Sequence, residues 1–209
     1  MPSSRLEAFS DGVLAVIITI MVLELKIPDQ PDLSHLISDT GTGLLTYLLS
    51  FVYVGIYWNN HHHMFQITER ITGGVLWANL HLLFWLSLLP LSTAWMDTTH
   101  FAQVPLIVYG IDLGAAAVAY YLLQQVIIRG QGGRSALREA VGRDLKGKLS
   151  PVLYLAAILI ALLAVPSWRP AFWLSMACYV AVAVMWLIPD RRIERYLAAN
   201  SRATAAGDP

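Results

Sequence analysis

The chain has 209 residues, of which 56% are hydrophobic and only 13% are charged, whereas soluble globular domains average roughly 45–50% apolar and about 25% charged residues. This composition excludes an ordinary soluble domain. Lys and Arg (14) balance Asp and Glu (14), so the zero net charge excludes the basic surface of a nucleic-acid-binding protein, and the single cysteine excludes an intramolecular disulfide or a multi-cysteine metal site.

Six segments are long and apolar enough to cross a membrane, since about 20 mostly apolar residues span roughly 30 Å of hydrocarbon. In chain order, the predicted spans are 6–26, 44–65, 74–96, 103–128, 151–165 and 170–188. The fifth span is short unless the preceding Lys148 and Ser150 extend it. The sequence therefore predicts an all-α integral membrane protein, with one six-helix domain over 1–190 and a basic, then disordered, cytoplasmic tail over 191–209.

The positive charges indicate how the chain crosses the cell membrane. Twelve of the fourteen Lys and Arg residues fall on one side of the predicted spans, and only Lys26 and Arg169 fall on the other. Because cytoplasmic loops carry an excess of these residues, both termini are predicted to be cytoplasmic. The basic loop 129–148 is also a candidate contact for anionic membrane lipid, although topology alone accounts for its charge.

The first predicted helix carries a stripe of residues at spacings of three and four. The stripe consists of Phe9, Gly12, Val16, Thr19, Ile20 and Leu23. Asp11 precedes Val16 by five residues, about 500° of helical rotation, so it points some 140° away and toward neighbouring helices. By periodicity alone, such a stripe is typical of lipid contact or helix packing.

Polar residues of the first three helices share one depth, in the third of the bilayer nearest the cytoplasm. They are Ser10 and Asp11 in the first helix, Asn59, Asn60, His61, His62 and His63 in the second, and Asn79 and His81 in the third. One interpretation is a buried hydrogen-bond network between helices. The alternatives are a metal or haem site and a pH-sensing or proton-relay histidine.

The spacing of the histidines argues against a metal site. Successive helical residues point about 100° apart, so His61, His62 and His63 cannot all face one ion. No Cys or Glu supplies a missing ligand nearby, and the chain has no Gly-x-Ser-x-Gly or His-Glu-x-x-His motif. We therefore expect no metal site, no cofactor and no enzymatic activity.

The string Arg5-Leu-Glu-Ala-Phe9-Ser10-Asp11-Gly12, followed by an apolar helix, resembles the opening of the transmembrane protein 175 family, the endolysosomal-type potassium leak channels and their prokaryotic relatives. Trp58 with His61 and His62 in the second helix, and Asn79 and Pro90 in the third, are also similar to the family. The resemblance covers mainly the first three helices. A single six-helix unit resembles the prokaryotic members.

The resemblance implies a homotetramer in which each subunit contributes its first helix to a central potassium-permeable pore. By the same resemblance, the constriction falls on Val16, Ile20 and Leu23, with the hydroxyl of Thr19 beside them; Val16 departs from the Ile or Leu expected there. A set of residues that we call the brace would hold the pore helix in place without touching the ion. The brace consists of Arg5, Phe9, Ser10 and Asp11 in the first helix, with Trp58, His61, His62 and Asn79.

A carbonyl selectivity filter is not expected. The nearest string to Thr-Val-Gly-Tyr-Gly is Val-Tyr-Val-Gly-Ile-Tyr at 52–57, inside the second span, where the carbonyls form helical hydrogen bonds. The alternative function is a proton-coupled secondary transporter using Asp11 and the histidines. Such carriers show interrupted helices in matching halves, whereas the sequence predicts a kink only at Pro90.

Overall fold

The computed structural model describes residues 3–68, 70–132, 135, 137–138, 145–163 and 169–187. Its helices are α1 (Ser3–Leu23), α2 (Leu33–His35), a π-helical turn (Leu36–Thr40), α3 (Gly41–Gln66), α4 (Gly73–Ser87), α5 (Leu89–Thr98), α6 (Gln103–Gln131), α7 (Leu145–Leu163) and α8 (Arg169–Leu187). The predicted tail 191–209 and much of the basic loop lie outside the described residues. Six stretches are long and apolar enough to span a membrane, which confirms the predicted all-α architecture.

The second span begins at Leu33 instead of residue 44, because helical structure starts directly after Asp32. The Asp32 carboxylate accepts hydrogen bonds from the hydroxyl of Ser34 at 2.6 Å and from the backbone N–H of His35 at 2.9 Å. These bonds, and a further one from the His35 ring, hold the pKa of the Asp32 carboxyl below its ordinary value. Asp32 is thus the N-cap that starts α2.

The third span is interrupted at Leu88, between α4 and α5. Pro90 stands in the first turn of α5 and has no backbone N–H, so the carbonyl of Leu86 loses the donor that would continue the helix. The predicted distortion at Pro90 is therefore present.

The fifth span begins before Pro151, contrary to the predicted boundary, and α7 starts at Leu145. The extension through Lys148 and Ser150 is confirmed. Ser150 Oγ donates to the carbonyl of Lys146 at 2.8 Å and accepts from the indole N–H of Trp186 at 2.7 Å. Contacts within α7 and to α8 thus support a helix that contains a proline near its start.

The helices pack as two connected groups, one of α1, α3, α4 and α5 and the other of α6, α7 and α8. α1 lies against α3, α4 and α5, while α6 lies against α4, α5 and α7, and α8 packs on α7 and α3. Buried tyrosines link these helices: the hydroxyl of Tyr53 on α3 donates to the carbonyl of Tyr179 on α8 at 2.6 Å, and the hydroxyl of Tyr179 donates to the carbonyl of Leu106 on α6 at 3.1 Å. At Gly110, an added Cβ would lie 2.8 Å from Tyr179 Cζ and 3.0 Å from Ile158 Cγ1. A side chain at that position would push α6 away from both neighbours.

Candidate functional site

Helix α1 has two distinct faces. Its buried face consists of Leu6, Ser10, Leu14, Ile17 and Met21, at spacings of three and four, and packs on the neighbouring helices. All six residues of the predicted stripe are exposed on the single subunit. Exposure reaches 54% at Val16 and 81% at Leu23. The structure therefore leaves the predicted constriction residues free of contacts within their own subunit's core.

A directional chain of hydrogen bonds fastens the buried face of α1. The ring of His61 on α3 contacts Asn79 Oδ1 at 2.8 Å, Asn79 Nδ2 donates to Ser10 Oγ at 2.9 Å, and Ser10 Oγ donates to the carbonyl of Leu6 at 2.9 Å. Because Asn79 Oδ1 can only accept, His61 Nε2 carries the hydrogen. All three polar side chains are at most 1% exposed, so α1, α3 and α4 are joined by buried, direct hydrogen bonds. This is the network that the shared depth of the polar residues indicated.

Asp11 faces the neighbouring helix α3, as its rotation from Val16 predicted. The indole N–H of Trp58 donates to Asp11 Oδ1 at 3.1 Å, and the indole ring stacks on the imidazole of His62 with 6.3 Å between centroids. Asp11 is half-buried and Trp58 is exposed. This contact therefore lies at the edge of the α1–α3 interface.

A third contact involves Glu7, which the sequence analysis did not single out. Glu7 Oε1 pairs with His62 Nδ1, and Gln66 Nε2 donates to His62 Nε2 at 2.9 Å. Glu7 precedes Asp11 by four residues, so both carboxylates lie on one face of α1. That spacing was the signal that could have identified Glu7 as a partner of the second span.

The remaining predicted residues do not converge on these contacts. Arg5 and Phe9 are exposed, and Arg5 forms no hydrogen bond or ion pair with any described residue. His81 accepts from the indole of Trp85 on α4, at 3.0 Å, and its side chain is exposed. His63 contacts Gln66 at 3.5 Å.

The histidines of α3 point in different directions, as their helical spacing predicted. His61 faces Asn79, and His62 faces Glu7. Among the described residues, no group of three or more His, Cys, Asp or Glu side chains is placed to hold a metal ion. The polar residues therefore form pairwise contacts between helices.

Known proteins match this chain over two extents: a family model matches the first half of the bundle, and individual relatives match nearly the whole chain. A family model described as endosomal/lysosomal potassium channel TMEM175 matches residues 5–90. A protein of Chryseobacterium sp. (strain P1-3) named a potassium channel is 50% identical over 200 residues, covering 96% of this chain and 100% of the relative. A potassium channel of Chamaesiphon minutus is 30% identical over 198 residues, covering 89% of this chain and 94% of the relative.

A more distant relative and a solved structure extend the comparison. The human protein named endosomal/lysosomal proton channel TMEM175 is 33% identical over 116 residues, which cover 50% of this chain and 23% of the human protein. The crystal structure of a lysosomal potassium-selective channel TMEM175 homolog from Chamaesiphon minutus superposes with a TM-score of 0.73 at 26% identity. That superposition covers 90% of this chain and 97% of the solved chain.

Proposed function

Since this chain belongs to the TMEM175 family of ion channels, we propose that it is a potassium-permeable channel whose pore is lined by α1 of four identical subunits. Membership of the family also means that the protein is a channel and not an enzyme. The chain supplies one six-helix unit per subunit, and K⁺ is the permeant ion. The proposed location is the cell membrane, with both termini in the cytoplasm.

One observation carries the proposed pore: the exposed stripe of α1 lies opposite a face that is fixed by hydrogen bonds. The constriction residues Val16, Ile20 and Leu23 are apolar and exposed, with Thr19 among them. Four copies of such side chains around an axis close a pore by excluding water, and a small widening admits a partly hydrated cation. The stripe therefore suits a hydrophobic gate.

The brace contacts support a role in holding α1 at the correct distance from the pore axis. Ser10, Asp11 and Glu7 bind α3 and α4 on the side of α1 turned away from the stripe. Because these three side chains contact α3 and α4, they point away from the proposed ion path. We infer that Glu7, Ser10 and Asp11, through their partners on α3 and α4, set pore width and gating. The constriction residues Val16, Ile20 and Leu23 would contact the ion.

Conduction without a carbonyl filter is part of the same proposal. Residues 52–57 lie within α3, where backbone carbonyls accept helical hydrogen bonds. A filter requires carbonyls that are free to replace the hydration shell of the ion. Selectivity for K⁺ would then depend on the width and polarity of the α1 constriction.

The alternative, a proton-coupled transporter, receives less support. The described residues show one interrupted span in the first half, at Leu88, whereas α6, α7 and α8 are continuous where they are described. A carrier built from repeats places interrupted helices in both halves. Asp11 is paired with Trp58, and His62 is paired with Glu7, so among the described residues these side chains do not surround a common substrate site.

Reconstitution separates the two functions. Purified protein in vesicles with a K⁺ gradient is expected to give discrete single-channel currents, with smaller currents when Na⁺ replaces K⁺. Slow flux that follows a proton gradient and shows no unitary currents would contradict the channel and favour the carrier.

Two substitutions test the constriction itself. Ile20→Ala and Leu23→Ala are expected to raise K⁺ flux, because smaller side chains weaken the hydrophobic barrier. Val22→Ala is the matched control, since Val22 is an exposed apolar residue of α1 outside the stripe. If both stripe variants conduct like the parent protein, or if the control raises flux equally, the assigned constriction is wrong.

A further inference from the structure

Asp112 is a carboxyl group in the interior of the bundle that neither the pore nor the brace uses. It stands nine residues after the start of α6 at Gln103, which is roughly 13 Å along the helix axis at 1.5 Å per residue. Its side chain is buried, and the residue is 3% exposed. An ionised side chain at such depth in a membrane is energetically costly. The question is therefore whether Asp112 is ionised or protonated in the folded protein.

The hydrogen bonds of Asp112 are too few for a carboxylate. Asp112 Oδ2 lies 2.8 Å from Ser92 Oγ on α5. Asp112 Oδ1 has no hydrogen-bond partner among the described residues. An ionised carboxylate offers about four acceptor positions, and a buried charge that finds a single donor is strongly destabilising.

Counting hydrogens distinguishes the two protonation states. Ser92 Oγ lies close to Asp112 Oδ2 and also lies 3.3 Å from the carbonyl of Leu89, yet a hydroxyl has one hydrogen to donate. If Asp112 is ionised, the hydroxyl hydrogen of Ser92 goes to the carboxylate, and no hydrogen is left for a bond from Ser92 to the carbonyl of Leu89. With a proton on Oδ2, Asp112 donates to Ser92 and Ser92 donates to Leu89, so each contact has its own hydrogen.

Among the described residues, the surroundings of Asp112 supply no compensating positive charge. Of the described ionisable groups, the neutral hydroxyls of Tyr57 on α3 and Tyr109 on α6 are near enough to Asp112 for electrostatic interaction. The one ionisable side chain of α4, His81, is exposed and pairs with Trp85. No described Lys, Arg or His forms an ion pair with Asp112.

The other helices around α6 also present neutral or distant groups. On α8 the hydroxyl of Tyr179 donates to the carbonyl of Leu106, and on α7 the hydroxyl of Tyr154 interacts with that of Tyr53. The other ionisable groups of α5 and α7, Asp97 and the two lysines, lie near helix ends. Among the described residues, the single hydroxyl of Ser92 is therefore the one group that would stabilise a negative charge at Asp112.

We propose that Asp112 is a proton-binding site inside each subunit, occupied at neutral pH, and that the neutral acid joins α6 to α5 immediately after the break in the third span. This site is separate from the brace, and it does not depend on the channel function. Loss of the proton would place an unpaired charge in the core and remove the donor to Ser92.

Infrared spectroscopy of the reconstituted protein tests proton occupancy directly. At pH 7 and pH 9 in vesicles, the parent protein is expected to show the carbonyl stretch of a protonated carboxylic acid, shifted on exchange into D₂O. Asp112→Asn should lose this band, and Asp97→Asn, which removes another carboxyl near a helix end, should retain it. If the spectrum of Asp112→Asn instead lacks a carboxylate band that the parent spectrum contains, the proposal is overturned.

Thermal unfolding of substituted proteins gives a second test. Asp112→Asn is expected to unfold close to the parent temperature, because its amide N–H can donate to Ser92 as the acid does, whereas Asp112→Ala is expected to unfold earlier. If Asn is as damaging as Ala, the native group is a carboxylate and the proposal fails. If Asp112→Asn does not assemble, Ser92→Ala provides the assignment, because Ser92 is the hydrogen-bond partner of Asp112. With ¹³C-labelled aspartate in both proteins, the acid band of Ser92→Ala is expected at a different frequency from that of the parent. An unshifted band contradicts the assignment to Asp112.

Discussion

Replacement of Asn79 by Ala tests whether the buried hydrogen-bond chain holds α1 against its neighbours. The carboxamide makes two hydrogen bonds, to Ser10 at 2.9 Å and to His61 at 2.8 Å. In the variant, His61 loses its one hydrogen-bond partner, because its Nδ1 has no partner among the described residues. The buried hydrogen bonds that join α1 to α4 and α4 to α3 would thus be lost at once, while the contacts of Trp58 with Asp11 and of His62 with Glu7 would remain.

The magnitude follows from the number of bonds and their burial. Interhelical hydrogen bonds in membranes contribute about 0.6–2 kcal/mol each, and a buried polar group left unpaired costs about 1–3 kcal/mol. We expect Asn79→Ala to lower the free energy of unfolding by about 2–4 kcal/mol. Ser10→Ala should cost less, about 0.6–2 kcal/mol, because it removes one bond between helices.

The assay is unfolding of the purified protein in mixed micelles, followed by tryptophan fluorescence, for both single variants and the double variant. A double-mutant cycle is expected to give a coupling energy of about 0.5–2 kcal/mol between Ser10 and Asn79. Asn59→Ala is the matched control, since Asn59 is half-buried and forms no hydrogen bond with a described side chain. An Asn79→Ala variant as stable as this control, or a coupling energy of zero, would refute the reasoning.

Three further predictions concern other contacts. Gly110→Ala should lower the free energy of unfolding by about 1–3 kcal/mol, because the added methyl group meets a tyrosine of α8 and an isoleucine of α7. The control Gly55→Ala, whose methyl group meets nothing within 4 Å, should be neutral or slightly stabilising in the same unfolding assay. Trp58→Phe removes the donor to Asp11 at an exposed interface edge, so it should cost about 0.5–1 kcal/mol, and a loss as large as that of Asn79→Ala would contradict the ranking by burial. NMR titration should find the pKa of the Asp32 carboxyl below 3.8. Since that pKa is lowered by folding, its contribution to stability is present above the ordinary value and disappears as pH falls through the lowered one; a titration at or above 3.8 would contradict the cap.

Helical periodicity was sufficient to predict the faces of α1 and the divergence of the histidines. The stripe from Phe9 to Leu23 emerges on the exposed side, and Asp11 faces α3, because rotation per residue is fixed by helix geometry. The distortion at Pro90 follows from its missing N–H. That the exposed stripe lines a pore stays a prediction, which the Ile20 and Leu23 substitutions test.

Features that depend on distant neighbours were not predictable from the sequence. The pairing of Glu7 with His62 requires the rotation of α3 relative to α1, which local spacing does not give. Helix α7 tolerates Pro151 because Ser150 is held by Trp186 of α8, a contact across 36 residues. Helical structure before residue 44 was missed because Pro28, Asp29 and Pro31 are typical of a loop, although Asp32 is also a good N-cap.

The hydrogen bonds that join the second half of the bundle have a consequence for how its sequence can change during evolution. Tyr53, Tyr179, Ser175 and Gln103 all donate to main-chain carbonyls of other helices, those of Tyr179, Leu106, Ala157 and Ala161. A carbonyl is present whichever amino acid occupies the position, so many substitutions at these acceptor positions would preserve the bond. The contacts of α1 instead join side chain to side chain, and each requires two particular residues. As far as these hydrogen bonds are concerned, the acceptor positions Leu106, Ala157 and Ala161 can therefore change independently, whereas Tyr179 is also a donor. The paired residues of α1 and its neighbours must change together to keep their contacts.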